Sequence, residues 1–103
     1  PQGTLNPNHI MERLEALCGN VVRRLGESGF KSYRTVAITV RFSDFETKTR
    51  SRTLLAKVLV EKSAARKTLN AEAMRLLMPF FDRRENPRRK FIRLIGARVE
   101  RLE

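Results

Sequence analysis

Residues 34–54 read "RTVAITVRFSDFETKTRSRTL", and this stretch decides the fold because it predicts two strands joined by a turn. Apolar side chains alternate with other residues through positions 36–42, as in a strand that is buried on one face. That apolar parity consists of Val36, Ile38, Val40 and Phe42. Turn residues at Ser43-Asp44 then predict an antiparallel hairpin between residues 36–42 and the segment that follows.

The second strand of this hairpin, residues 47–53, has no apolar side. Its even positions are Lys48, Arg50 and Arg52, which we call the basic row, and its odd positions carry only small hydroxyls. Side chains of the basic row would stand about 6.5 to 7 Å apart along the strand. Successive phosphates of a nucleic-acid strand have a similar spacing, so the row is predicted to follow a phosphate backbone. A solvated edge strand, whose charges only oppose aggregation, is the alternative.

Two amphipathic helices flank the hairpin in the sequence. Asn6-Pro7 predicts the start of the first, with Asn6 as N-cap and Pro7 at the first helical position. Its apolar stripe comprises Ile10, Leu14, Leu17, Val21 and Leu25, and Cys18 falls in this stripe as a buried thiol. The second helix is predicted from about Ser63, and Pro79 should end or kink it. Its stripe comprises Leu69, Ala73, Leu76 and Phe80.

The remaining segments predict one charged loop and one more strand. Residues 55–62 fit either an edge strand or a lead-in to the second helix, and residues 82–90 read as a charged loop. In the last strand, "KFIRLIGARVERL", the apolar parity changes near Ile95-Gly96. A β-bulge inserts one residue and resets the faces, so we predict a bulge at Gly96.

Together these elements predict a single α+β domain over residues 1–103. The order is helix, strand, strand, helix, strand, with both helices on one face of an antiparallel sheet. We call the sheet face that no helix covers the bare face. Thr39, Arg41, Arg93, Arg98 and the basic row are expected to lie there.

The charge of the chain indicates a polyanionic partner. Lys and Arg number 22 against 11 acidic residues, a net charge of +11, and most of the cations are arginine, which binds phosphate with two parallel hydrogen bonds. The sheet is predicted to lack aromatic residues that would stack on single-stranded bases, because the phenylalanines fall mostly at turns or in core-facing positions, and this favours binding to the backbone. One cysteine and one histidine exclude a zinc site. The sequence shows no signal peptide and no membrane-length apolar run, so a cytoplasmic setting is expected.

Residues 34–54, together with "RKFIRLIGARVERL" at 89–102, resemble a known family. In this order, and about forty residues apart, the "TxTRSxTL" and "RLIGARV" strands are similar to the little finger domain of Y-family translesion DNA polymerases. The similarity is strongest to the DNA polymerase IV branch and spans nearly the whole chain. "LNPNHIMERLEALCGNVVRRL" takes the place of the family's first helix.

The resemblance implies a function and a set of contacts. In the family, the domain holds primer–template DNA by its backbone, while the catalytic carboxylates and two Mg²⁺ ions lie in the palm. We therefore expect no catalytic residue and no cofactor in this chain, and a sliding clamp as a partner of the parent protein. The expected DNA-binding residues are Arg41, Thr47, Lys48, Thr49, Arg50, Ser51, Arg52, Thr53, Arg93, Ile95, Gly96 and Arg98.

The family's β-α-β-β-α-β order begins with a strand that this sequence lacks ahead of its first helix. We expect residues 36–42 or 89–100 to border the resulting open edge. That edge is expected to pair with a second copy of the chain, or with "PQGTL" folded back as a short strand.

Two other classes of function compete with this interpretation. A stand-alone RNA-binding or ribosome-associated module would also be small and basic, and it would bind structured RNA at least as tightly as primer–template DNA. A membrane-surface protein would need a basic amphipathic helix. Glu12, Glu15 and Glu27 lie on the polar side of the first helix and oppose that function.

Overall fold

The computed structural model describes residues 6–62 and 64–103 and confirms the predicted α+β class and order. Helix α1 spans Pro7–Glu27, strand β1 Ser32–Phe42, strand β2 Thr47–Leu59, helix α2 Ala65–Leu77 and strand β3 Ile92–Glu100. A short 3₁₀-helix, Met78–Phe81, follows α2. The strands form an antiparallel sheet in the order β2-β1-β3. The expected start of the second helix at Ser63 and the expected strand at "PQGTL" lie outside the described residues.

Helix α1 begins as its sequence predicts. The side chain of Asn6 accepts a hydrogen bond from the backbone N–H of Asn8 at 3.0 Å, and Pro7 occupies the first helical position. The predicted stripe faces the protein, with Ile10, Leu14 and Leu25 buried. Cys18 is buried among them, and this burial raises the pKa of its thiol to about 11.

The core lies between the sheet and the two helices, α1 and α2. Val36, Ile38, Val40 and Phe42 are all buried on the helix side of β1. The rings of Phe42 and Phe80 have centroids 6.1 Å apart in a tilted arrangement. Aromatic pairs at this distance add stability beyond the area they bury.

The predicted stripe of α2 is wrong at one position. Leu77 is buried and Leu76 is only partly so, although the sequence pattern selected Leu76. After Leu77 the chain tightens into the 3₁₀-helix that contains Pro79. Because a 3₁₀-helix repeats every three residues, Phe80 lies on the same side as Leu77.

The ambiguous residues after the basic row continue β2 as far as Leu59. Thr35 pairs with Thr53 and Tyr33 with Val58, so four residues of β2 oppose Arg34 alone. The Arg34 guanidinium donates hydrogen bonds to the carbonyl oxygens of Leu54 and Leu55, at 2.8 and 3.1 Å. These bonds stabilise the irregular part of the strand.

Strand β1 is central, so the prediction that residues 36–42 border an open edge is wrong. Strand β3 pairs only with β1 within the described residues and therefore forms one edge of the sheet. The other edge is β2, which carries the basic row.

The bulge of β3 lies earlier than predicted. Arg41 pairs with Leu94 and Phe42 with Ile92, so Arg93 is the inserted residue and Gly96 pairs regularly with Thr39. Ile92 and Ile95 both reach the core because the insertion separates them by three residues. Leu94 lies on the other side of the sheet and is 47% exposed.

Candidate nucleic-acid interface

The pairing of β1 with β2 decides which face carries the basic row. Lys48 pairs with Val40, Arg50 with Ile38 and Arg52 with Val36. Directly opposed residues of antiparallel strands project on the same face, and these β1 partners belong to the core. The basic row therefore lies on the helix side of the sheet. Its expected position on the bare face is wrong.

The basic row remains partly exposed because β2 is an edge strand. Side-chain exposure is 27% for Lys48, 41% for Arg50 and 50% for Arg52. Cations at the rim of a covered face keep their charged ends near water while their aliphatic parts lie against the protein. The row is accessible from the side of the molecule.

Acidic groups of the helix layer neutralise the row. The Arg50 guanidinium donates hydrogen bonds to both carboxylate oxygens of Glu85, with an Nη2–Oε1 distance of 2.7 Å. Lys48 Nζ donates to the backbone oxygen of Glu85 at 2.9 Å and lies 4.0 Å from its carboxylate. Glu72 of α2 lies 3.7 Å from Arg52. The hydrogen bond from Arg50 is the main reason that the pKa of Glu85 is lowered.

The loop that carries Glu85 is fixed by a buried side chain, Asn86. Its Nδ2 donates to the carbonyl oxygens of Phe80 and Lys90, at 3.3 and 2.9 Å, and its Oδ1 accepts from the Lys90 N–H at 2.9 Å. Lys90 is paired with Asp44 at 2.7 Å and Glu46 at 3.1 Å, and the hydrogen bond to Asp44 is the main cause of its raised pKa. The loop is therefore held to both the 3₁₀-helix and the hairpin turn.

The bare face consists mainly of hydroxyls from β1 and β2. The hydroxyl oxygens of Thr35 and Thr53 are 2.9 Å apart, and those of Thr39 and Thr49 are 3.3 Å apart. Arg41 Nε donates to the Thr47 hydroxyl at 3.2 Å. The other cross-strand pair on this face is Ala37 with Ser51. Thr35 and Ala37 of β1 are buried, so the exposed polar surface of the hairpin consists mainly of the β2 hydroxyls.

Strand β3 completes the bare face with Leu94, Gly96, Arg98 and Glu100, which pair with the outward residues of β1. Arg98 Nε donates to the Glu100 carboxylate at 2.7 Å. A Cβ at Gly96 would meet only the Cβ of Thr39, at 3.9 Å. Sterics therefore do not require glycine at this position, and its small size leaves the neighbouring hydroxyl accessible.

At the end of the bare face, Arg93 lies over the ring of Phe45. The guanidinium carbon is 4.5 Å from the ring centroid, which is within the range of a cation–π interaction. Both side chains are exposed. Arg93 therefore adds a cation at the Arg41 end of the bare face, where the ring of Phe45 in the hairpin turn orients it.

Comparison with known proteins identifies the family. The model of the impB/mucB/samB family C-terminal domain matches residues 1–103. This chain belongs to the impB/mucB/samB family. The impB/mucB/samB domain is also similar to DNA polymerase IV of Methanosarcina acetivorans, with 34% identity over 103 residues. That match covers 100% of this chain and 25% of the polymerase, so the chain spans about a quarter of the relative's length. Both findings confirm the resemblance indicated by the two strand motifs.

In this impB/mucB/samB domain the expected site residues separate into two groups. Those on or beside the bare face are Arg41, Thr47, Thr49, Ser51, Thr53, Arg93, Gly96 and Arg98. Those on the helix side are the basic row and Ile95, whose side chain is buried. The structure thus brings the hydroxyls and three arginines together, and it separates them from the basic row.

Sequence reasoning missed the acidic partners of the basic row in the impB/mucB/samB domain. Glu85 stands within "DRRENPRRK", where two acids among five cations gave no reason to link either one to β2. The Glu72–Arg52 contact depends on how α2 crosses the sheet. The sequence therefore carried no signal that would have identified these partners.

Two further observations on the family member concern metal ions and membranes. Residues 6–62 and 64–103 contain no group of three or more His, Cys, Asp or Glu side chains arranged to hold a metal ion. Over the same residues, neither helix combines the length and hydropathy that crossing a membrane requires.

Proposed function

We propose that this domain binds primer–template DNA by its phosphate backbone, as the DNA-holding part of a DNA polymerase that acts in translesion synthesis. The observation that carries the proposal is the bare face, where hydroxyls, Arg41 and Arg98 lie together on one side of a sheet whose other side packs on helices. Family membership and the similarity to a DNA polymerase IV support it.

The chemistry of the bare face favours phosphate contacts over base contacts. Hydroxyl and arginine side chains are common donors to phosphate oxygens, and such contacts carry no direct sequence information. The outward positions of the three strands include no aromatic side chain on which a base could stack. A surface of this kind suits DNA whose bases are damaged, because it depends on the backbone alone.

Charge elsewhere on the domain would assist the encounter with DNA. The chain has a net charge of +11, and the loop after α2 exposes Arg83 and Arg88. A field of this sign attracts polyanions over distances set by the ionic strength.

Catalysis is assigned to other parts of the parent polymerase. Phosphoryl transfer in polymerases uses two metal ions held by carboxylates. In this proposal those carboxylates belong to the palm of the parent enzyme, as the family resemblance implies, and the domain binds and positions DNA.

The dependence of binding on salt tests the proposal. If Arg41, Arg93 and Arg98 each neutralise one phosphate, the slope of log affinity against log salt is about −2.7, and affinity falls about fortyfold between 50 and 200 mM salt. Fluorescence anisotropy of labelled primer–template DNA measures both quantities. A flat response would refute the electrostatic mechanism, and equal or tighter binding to structured RNA would favour the RNA-binding alternative.

A further inference from the structure

The carboxylate of Glu85 occupies the place that a phosphate would take on the basic row. Arg50 donates two hydrogen bonds to the two oxygens of this carboxylate, and Lys48 lies 4.0 Å from one of them. A guanidinium binds a phosphate through the same pair of parallel N–H donors. The guanidinium cannot offer those donors to both groups at once.

The site remains open to a competing anion. The side chains of Arg50 and Lys48 are 41% and 27% exposed, and that of Glu85 is 21% exposed. The basic row lies on an edge strand, so a backbone lying along β2 can approach it from the side. The pair is partly exposed, so water and a second anion can reach the guanidinium while it is bound to the carboxylate.

We propose that Glu85 competes with the DNA backbone for Arg50 and Lys48, and so limits how strongly the β2 edge takes part in binding. This proposal depends on the proposed DNA-binding function. In this proposal the basic row is a second phosphate-binding surface, separate from the bare face. The side chain of Glu85 sets how strongly this surface binds phosphate.

The loop has anchors other than the side chain of Glu85. The buried Asn86 side chain makes three hydrogen bonds to the backbone at both ends of the loop. Removing the charge of Glu85 should therefore free the two cations without releasing the loop. If the ion pair had only a structural role, removing the charge of Glu85 would loosen the loop and would not strengthen DNA binding.

The replacement Glu85→Gln tests the proposal, because it removes the charge and keeps the size of the side chain. We expect affinity for primer–template DNA to rise about two- to fivefold at 0.15 M salt, the range expected when an exposed ion pair no longer opposes binding. One added positive charge at the interface should also make the salt slope steeper by about 0.9. Anisotropy titrations at several salt concentrations measure both.

The matched control is Glu12→Gln, on the exposed side of α1, which changes the net charge equally and far from β2. We expect it to leave the slope unchanged. In an Arg50→Ala background, Glu85→Gln should lose most of its effect. Equal gains from Glu12→Gln and Glu85→Gln would overturn the proposal in favour of a general charge effect.

Two other outcomes would also overturn it. Glu85→Gln could lower the melting temperature by several degrees while the affinity stays the same, which would make the pair a structural contact only. Glu85→Gln could also bind DNA with the affinity and salt slope of the wild type and have the same melting temperature. If the wild type itself does not bind DNA, the proposed function fails first, and that result is separate from any difference between the two variants.

Discussion

Replacing Phe80 by alanine is expected to lower the free energy of unfolding by about 3 to 5 kcal/mol. The ring is fully buried and packs against Phe42 beneath the sheet, so its removal leaves a cavity that the neighbouring helix cannot fill. For a domain of this size the melting temperature should fall by at least about 12 °C. Thermal and urea unfolding, followed by circular dichroism, measure the change.

Phe91→Ala is the matched control, since it removes the same ring from a position that is 53% exposed. We expect a loss of less than about 1 kcal/mol for it. Similar losses in the two variants would contradict a core that lies between the sheet and its helices.

Reversing both arginines of the bare face, by Arg41→Glu with Arg98→Glu, is expected to reduce DNA affinity by at least about 25-fold at 0.15 M salt. Each lost phosphate contact accounts for about fivefold at this salt concentration, from a slope of about 0.9 per contact. Repulsion between the new carboxylates and the phosphates adds to the loss. In the wild type Arg98 forms an ion pair with Glu100. Arg98→Glu removes this pair and places two acids side by side.

Lys67→Glu serves as the control for a reversed charge. Lys67 is exposed in the first turn of α2, on the helix layer, where an acid is compatible with the helix dipole. Twice the loss of binding free energy caused by Lys67→Glu is the loss expected for the double variant from net charge alone. A double variant that loses no more than this would show that the bare face does not contact DNA. Melting curves should show that both variants are folded.

Much of the fold could be predicted because apolar periodicity is strong in two of the five main elements, α1 and β1. The stripe of α1 and the alternation of β1 each identify one buried side, and Asn6-Pro7 identifies where α1 begins. The family resemblance depended on two strands that both proved to be strands. These features are local, and local sequence is sufficient to predict them.

The face of the basic row could not be predicted, because residues 47–53 have no apolar parity. Only the turn fixes the register: Phe42 N–H donates to Glu46 O, and Phe45 has a φ of 70°. A three-residue hairpin loop needs such a left-handed residue, which is usually glycine or asparagine. Because phenylalanine stands at this position, the sequence does not indicate the length of the loop. A loop one residue longer or shorter would exchange the two faces of β2.

The bulge of β3 was misplaced for a related reason. Leu94 is apolar and has the parity of Ile92, so the change of parity was placed after it, although Leu94 lies on the bare face. Glycine is the residue that usually marks a bulge, and Gly96 attracted the prediction. The burial of Ile92 and Ile95 instead required the insertion between them.

The burial of Cys18 gives the molecule a built-in reporter of its own opening. The thiol is fully buried, and with its pKa at about 11 only about one molecule in a thousand carries the reactive thiolate at pH 8. A disulfide reagent can therefore modify it quickly only after α1 has separated from the sheet and the thiol has returned to its ordinary acidity. As Cys18 is the chain's single cysteine, the rate of labelling counts these opening events directly, with no engineered probe.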